Sequence, residues 1–296
     1  MAFQIFSDLD SSIPLTRPDC LFDDYTFFKR HAGHFPHSIY VFNTEIEKGA
    51  GLLNINNAFY HPGRGSFGLL PLNGNSFNSP LLLLQQPLYT TSPPELWLNH
   101  FQSDYIERLT ANGFLLFMEE PSFLIEVKEE VLSLRMDRGN VKRLNKGIRL
   151  GVETSLDVTW EPLYQLLSEN RAQKGVKLAM SEAEVNFMMQ QFPTDCFWFS
   201  TRKDGEVIAS AFVLQSLPGC WQVVYWGHRP GTEDLSPVTS LANSIYEAAR
   251  HRDILFLDLG TASLEGKPNQ GLIRYKQNLG AVPSRKATFV RHASQT

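Results

Sequence analysis

From residue 159 to residue 291 the sequence carries an order of elements that few folds accommodate: two helices, three strands in quick succession, then helix, strand, helix, strand. "TWEPLYQLLSENRAQKG" reads as a helix with Thr159 at its cap and Gly175 at its stop. "SEAEVNFMMQQFP" pairs Ser181 with Glu184 in a capping box and stops at Pro193. "CFWFSTR", "EVIASAFVLQS" and "CWQVVYWGH" read as strands, the first turned into the second by "KDG" and the second into the third by "LPG". In "SPVTSLANSIYEAARH", Ser236 is the expected cap and Pro237 takes the first helical position, where its missing N–H costs nothing. Val238, Leu241, Ile245 and Ala248 form its apolar stripe. "ILFLDLG" is a short, continuously apolar strand, the pattern of one covered on both faces. "NQGLIRYKQNLG" is a helix capped by Asn269 and stopped at Gly280, and "KATFVRH" is the last strand. The expected class is therefore α+β, with a mixed, mostly antiparallel sheet flanked by helices. A helix inserted between neighbouring strands splays the sheet, and a splay is a natural cleft.

The first half is richer in short strands. "SIYVFN", "AGLLNINNAFY", "GSFGLLPL" and "PLLLL" read as strands, "SPPELWLNHFQSDYIERLTANG" as a helix opened by proline and closed by Gly113, and "FLLFMEE" as a strand. Strands, helix, strand is a loose echo of the second half, which predicts a duplication of fold with domains at 1–133 and 134–296. The chain's 296 residues fit that at roughly 150 per domain. A net charge of −4 excludes a chain that binds polyanions over its whole surface, so attraction to phosphate must come from a local patch. Three cysteines without paired spacing predict a reducing compartment. The N-terminal stretch lacks the pattern of a signal peptide, and no apolar run is long enough for a membrane span. A cytoplasmic protein is expected.

One local patch stands out. "LRMDRGNVKRLNKGIRLG", residues 134–151, carries six basic residues and one acidic. Arg135, Arg138, Lys142, Lys146 and Arg149 recur at threes and fours and form one stripe of a helix, with Val141, Leu144 and Ile148 opposite. Such a stripe is either a solvated face or a surface for phosphate or RNA. A second oddity is Lys276. At about 100° per residue, Leu272, Ile273, Tyr275 and Leu279 share an apolar arc, and Lys276 falls inside it, about 40° from Leu272. A lysine there either snorkels from a helix edge or is buried on purpose, and an unpaired buried ammonium costs several kcal/mol. The residues leave both readings open.

Other chemistry is thin. His31, His34 and His37 recur at threes, but Pro36 breaks any helix and no carboxylate or cysteine completes a ligand set, so no metal is expected. No nucleophile elbow, phosphate-cradling loop or dinucleotide fingerprint occurs. The start of the Ser236 helix, with its free N–H groups and positive dipole end, is an anion site in kind, and Gly227 and Gly231 before it allow close backbone approach to a ligand.

Taken in order, "RGNVKRLNKGIRLGVET", "GEVIASAFVLQ", "CWQVVYWGHRP", "LSPVTSLANSIYEAARHRDILFLDLG" and "GLIRYKQNLGA" resemble the FemAB/FemX-like branch of the GNAT acyltransferase superfamily over residues 135–291. The resemblance implies two tandem GNAT-like domains and transfer of an acyl or aminoacyl group onto an amine, often on a cell-envelope precursor. Tyr275–Lys276 matches the branch's aromatic–lysine pair, whose lysine is implicated in stabilising charge during transfer. It would face inward because a cleft lies there. The implied site has Lys276 as catalytic cation and Asp258, Glu265 or Tyr225 as candidates for handling the amine's proton. Ser236, Val238, Thr239, Arg229 and Tyr275 would hold the donor, and Arg138, Lys142, Arg143 and Lys146 would meet substrate phosphates. "RPGTEDLSPV" departs from the general pyrophosphate loop of the superfamily, which weighs against ordinary coenzyme A binding. The short gap between the helices near 175 and 182 leaves no room for the long helical arm of some peptidoglycan-building members, which weighs against aminoacyl-tRNA. Acyl-CoA is the favoured co-substrate of the two, with tRNA a possible partner. The alternatives are a non-catalytic module binding a nucleotide-linked precursor, or an RNA-binding protein using the basic stripe.

Overall fold

The computed structural model describes strands at 3–6, 39–43, 48–55, 58–60 and 95–99, and then residues 114–217, 219–264 and 267–291. In chain order the strands are β1 (Phe3–Phe6), β2 (Ile39–Asn43), β3 (Lys48–Ile55), β4 (Ala58–Tyr60), β5 (Glu95–Asn99) and β6 (Phe114–Glu126). Helix α1 (Arg138–Arg149) and β7 (Val152–Asp157) follow, then α2 (Glu161–Ala172) and α3 (Glu182–Gln191). Strands β8 (Cys196–Lys203), β9 (Glu206–Leu217) and β10 (Cys220–His228) precede α4 (Pro237–Arg250) and β11 (Phe256–Thr261). The small strands β12 (Ser263–Leu264) and β13 (Lys267–Pro268), helix α5 (Gln270–Asn278) and β14 (Val282–Arg291) complete the series.

The expected order after residue 159 is observed, with the short strands β12 and β13 added between β11 and α5. "KDG" makes the β8–β9 hairpin with φ of 52° at Asp204 and 83° at Gly205, the doubly left-handed geometry that matches the twist of the flanking strands. Ser181 and Glu184 cap α3 reciprocally. Eight strands form one sheet in the order β5-β14-β6-β11-β10-β9-β8-β7. Every neighbouring pair in it is antiparallel except β10 and β11, whose connection runs through α4. β1 to β4 make a second, four-stranded sheet.

The period of two along each strand divides the sheet's faces. Trp198, Phe212 and Leu214 point to the side covered by α2 and α3, where they meet Leu163, Leu167, Val185 and Met188. Phe199, Ala211, Val213 and Trp221 point to the other side, where Leu241, Ile245 and Tyr246 of α4 cover them. Trp198, Phe199, Phe212, Trp221 and Tyr246 are wholly buried, and such side chains contribute roughly 1.5–3 kcal/mol each, or more for the largest.

Six sequence expectations change. The helix read over "SPPELWLNHFQSDYIERLTANG" contains β5, because Glu95–Asn99 pairs with Lys286–Val290 of β14. Tertiary pairing overrides local helix propensity there. "AGLLNINNAFY" is a hairpin rather than one strand, since Asn56–Asn57 separates β3 from β4. Thr159 is not the cap of α2. Trp160 holds that position without a side-chain bond, its ring buried against Tyr164 and Trp198 instead. On α1 the inward face is Asn140, Leu144 and Gly147, while Ile148 is 61% exposed. β7 was not expected at all. β6, which lies before the expected boundary at 133/134, hydrogen-bonds to β11 and β14 and so belongs to the sheet of the second half. "GSFGLLPL", "PLLLL" and the 31–37 histidines lie outside the described residues.

Two glycines set helix distances. A Cβ at Gly147 would lie 3.2 Å from the Leu235 carbonyl oxygen, and one at Gly227 would lie 2.8 Å from Asn170 Oδ1. Asn170 cannot simply yield, because its Nδ2 donates to the His228 carbonyl at 2.7 Å. Gly227→Ala is expected to destabilise the protein by about 1–3 kcal/mol, read as a lower urea midpoint at unchanged slope.

Candidate active site

The parallel pairing of β10 with β11 lasts only three residue pairs, Cys220 with Phe256 to Gln222 with Asp258. Beyond that point the strands part. β10 bulges between Val223 and Tyr225 and runs on to His228. β11 slips its register with β6 between Asp258 and Thr261 and turns at Gly260, where φ is +72°. The splay predicted from the order of elements is present.

A cavity of about 550 Å³ opens at the parted end. Trp226, Gly227 and His228 of β10 form one wall and Ser236 to Thr239, at the start of α4, another. Tyr275 of α5, Asn140, Arg143 and Lys146 of α1, Lys174 after α2, and Glu233 and Asp234 complete the lining.

Local bonds bring these elements together. Asp137 caps α1 by accepting from Asn140 N at 2.7 Å, and its own N–H donates to the Asn278 carbonyl at 2.9 Å, tying α1 to the end of α5. Asn170 fastens α2 to the end of β10, and Lys174 Nζ donates to Asn170 Oδ1 at 3.1 Å. Burial and the neighbouring Arg171 lower the Lys174 pKa. The start of α4 is anchored by Thr201 Oγ1, which donates to the Pro237 carbonyl at 3.2 Å. Ser236 adopts a left-handed backbone, φ 49° and ψ 50°, and its side chain does not cap the helix. The N–H groups of Thr239 and Ser240 turn back to its carbonyl, at 3.0 and 3.3 Å.

Tyr275 is the unusual member of the lining. Its ring stands edge-on to Trp226, centroids 6.1 Å apart, and its Oη is sealed within the protein without a hydrogen-bond partner. Burial pushes its pKa up to about 12. The Thr239 hydroxyl and the Arg143 guanidinium pull the other way, Thr239 without reaching bonding geometry. A buried hydroxyl with nothing to bond is costly, and here it lies behind the wall that Tyr275 helps to form.

No protein-family model and no curated protein matches this sequence. Among solved structures the chain is similar to FemX, with a TM-score of 0.72 over 96% of this chain and 94% of that one at 12% identity. It is also similar to L-PGS from Bacillus licheniformis, with a TM-score of 0.62 over 91% and 90% at 12% identity. The fold is FemX-like.

On this FemX-like fold the residues singled out in the sequence separate into two groups. Ser236, Val238, Thr239, Tyr275, Arg143 and Lys146 meet at the cavity. Arg138 and Lys142 stay exposed on α1 and do not line it. Arg229 turns back toward Glu206, 3.6 Å away. Tyr225 points to the opposite face of the sheet, since successive residues of β10 alternate. There its Oη accepts from Met180 N at 3.0 Å among the residues packed on α2, and burial raises its pKa. Asp258 is fully buried, with Oδ1 accepting from Gly260 N at 2.7 Å. Glu265 lies outside the described residues.

Lys276 requires the largest correction. It is turned inward, 2% exposed, but not into an open cleft. Its Nζ donates to the carbonyls of Leu259, Gly260 and Thr261 at 2.7, 2.9 and 2.8 Å and sits 5.9 Å from the Phe123 ring centroid. An ammonium has three protons, and all three are engaged. The sequence reading missed Lys174 and Trp226 as lining residues, because no local pattern reveals that the end of α2 reaches the end of β10. Among the described residues no group of side chains fits a metal, and no helix is long and apolar enough to cross a membrane.

Burial lowers the Lys276 pKa to about 8, with Asp258 opposing the shift. Above pH 8 the unfolded chain therefore holds a proton that the folded one has lost, so Lys276's contribution to stability rises with pH up to about 10.5. The unfolding free energy of the wild type relative to Lys276→Met should rise by at most about 3 kcal/mol between those limits, measured by denaturant titration across that range.

Proposed function

We propose that this chain is an N-acyltransferase that moves an acyl or aminoacyl group from an activated, phosphate-containing donor to an amine. What supports the reading most is the cavity at the parted strands, where a helix N-terminus, three cationic side chains and an unpartnered buried hydroxyl converge. The cations Arg143, Lys146 and Lys174 suit donor phosphates. The FemX-like fold agrees with the reading. Acyl-CoA is favoured over aminoacyl-tRNA, because only residues 173–181 separate α2 from α3 and no helical arm is inserted there. The acceptor is an amine-bearing small molecule, such as a cell-envelope precursor.

In the proposed reaction the neutral amine attacks the donor carbonyl carbon. The carbonyl oxygen takes up the electron pair as the C–N bond forms, and the pair returns as the bond to the leaving thiolate or alkoxide breaks. The amine's proton ends on the leaving group or in solvent. The positive end of α4 stabilises the oxygen as charge develops, and the Tyr275 hydroxyl, kept protonated by its raised pKa, adds its dipole from behind the cavity wall. Asp258 and Tyr225 lie away from the lining, so neither takes the proton directly in this scheme.

Two measurements test this. Acetyl-CoA, and separately an aminoacyl-tRNA, should raise the Tm of the wild-type protein, and charge reversal at Arg143 and Lys146 should abolish the shift. Retention of the shift in that double variant would sink the cationic-wall assignment. Tyr275→Phe should leave stability unchanged or slightly raised, since the lost hydroxyl bonds nothing, while lowering the transfer rate by about tenfold, read in a thiol-release assay against an amine panel. If donor binds but no amine is ever acylated, the non-catalytic binding module takes precedence. A steep salt-dependent affinity for RNA that is lost on reversing Arg138 and Lys142 as well would favour the RNA-binding reading.

A further inference from the structure

We infer that Lys276 is a positioning residue that stands in for the missing strand at the parted end of β11, holding the cleft open, rather than a group that touches the transferred carbonyl. The proposal rests on the acyltransferase reading only for the purpose of the cleft; its geometry is independent of it. In a continuous sheet the carbonyls at Leu259–Thr261 would find N–H donors on both neighbours. Here β10 has left after Asp258, and the register with β6 slips over the same residues. Carbonyls stranded inside a protein cost more than most single contacts return, so something must supply donors.

Lys276 supplies three at once. Successive carbonyls of an extended strand point to opposite sides, so three in a row cannot converge on one nitrogen unless the backbone leaves the extended form. Gly260, at φ +72°, makes that departure, and Asp258 Oδ1 fixes it by accepting from the Gly260 N–H. A Cβ at Gly260 would meet nothing within 4 Å, so the glycine is needed for its conformation and not for space. The turn brings the three oxygens round the ammonium, with the Phe123 ring nearby. The neighbouring Tyr275 leaves α5 at about 100° from Lys276 and joins the cavity wall, so one helix turn carries a strut and a wall residue side by side.

The test begins with the wild type and needs no donor. In a ¹H–¹⁵N spectrum of lysine ammonium groups at neutral pH, one resonance should exchange slowly with water and should vanish in Lys276→Met or, if that variant does not fold, in Lys276→Gln. Amide hydrogen exchange should accelerate at residues 259–262 in the variant while α2 and α3 keep their protection, Tm should fall by more than about 5 °C, and the dissociation constant for coenzyme A should rise at least tenfold. A slow ammonium and local exchange changes without any coenzyme A binding or transfer would support the strut and count against the acyltransferase reading. Absence of a protected ammonium in the wild type would overturn the inference. So would a Lys276→Met protein with unchanged Tm, exchange and coenzyme A affinity that loses only the rate of transfer.

Discussion

The parting of β10 from β11 is the constraint around which the described half of this molecule is arranged. Two parallel strands that separate inside a protein expose backbone donors and acceptors that water cannot fully reach, and each must be met by something else. At β10 the remedy is a neighbouring helix: Asn170 of α2 donates to the His228 carbonyl. At β11 it is a pair of charged side chains, Asp258 for a donor and Lys276 for three acceptors. A buried ion pair is weak evidence for stability in general, because desolvation offsets attraction. Here the charges are matched to backbone dipoles created by the opening itself, which ties their cost to the existence of the cleft.

The helices that wall the cavity are admitted by absent side chains. Gly227 lets α2 lie against the end of β10, and Gly147 lets α1 lie against the loop before α4. At Gly280 a Cβ would come within 2.9 Å of Arg135, so the end of α5 and the start of α1 also meet at a glycine. The Asp137 N–H to Asn278 carbonyl bond crosses at the same junction. Cations on α1 and the hydroxyl on α5 thus share one rigid corner.

How far the sequence revealed this depends on whether the determining contact is local. The capping box at Ser181, the left-handed hairpin at Asp204–Gly205, and Pro237 at the head of α4 are decided within a few residues and were legible. The element order also foretold the splay, because a helix between two strands leaves a geometric trace in sequence. β5 was read as a helix because its strand character comes from β14, nearly two hundred positions away in the chain. Lys276 was half legible. Its place on the helix announced burial, but a bare heptad-scale pattern cannot distinguish a cleft from a nest of carbonyls formed by a turn at Gly260.

Charge is unevenly placed across the cavity. Glu233 and Asp234 lie beside the start of α4, while Arg143, Lys146 and Lys174 lie on the α1 and α2 side. The positive end of a helix dipole is worth about 0.3–1 kcal/mol to a nearby anion, and two carboxylates at that end work against it. Under the acyl-transfer reading this sorts the ligand's parts. A phosphate is driven toward the three cations, away from the acidic loop before α4. The carbonyl, which is neutral until attacked, can then occupy the space between Val238 and Tyr275. The carboxylates are left to face an ammonium, which is what an amine acceptor is before it gives up its proton.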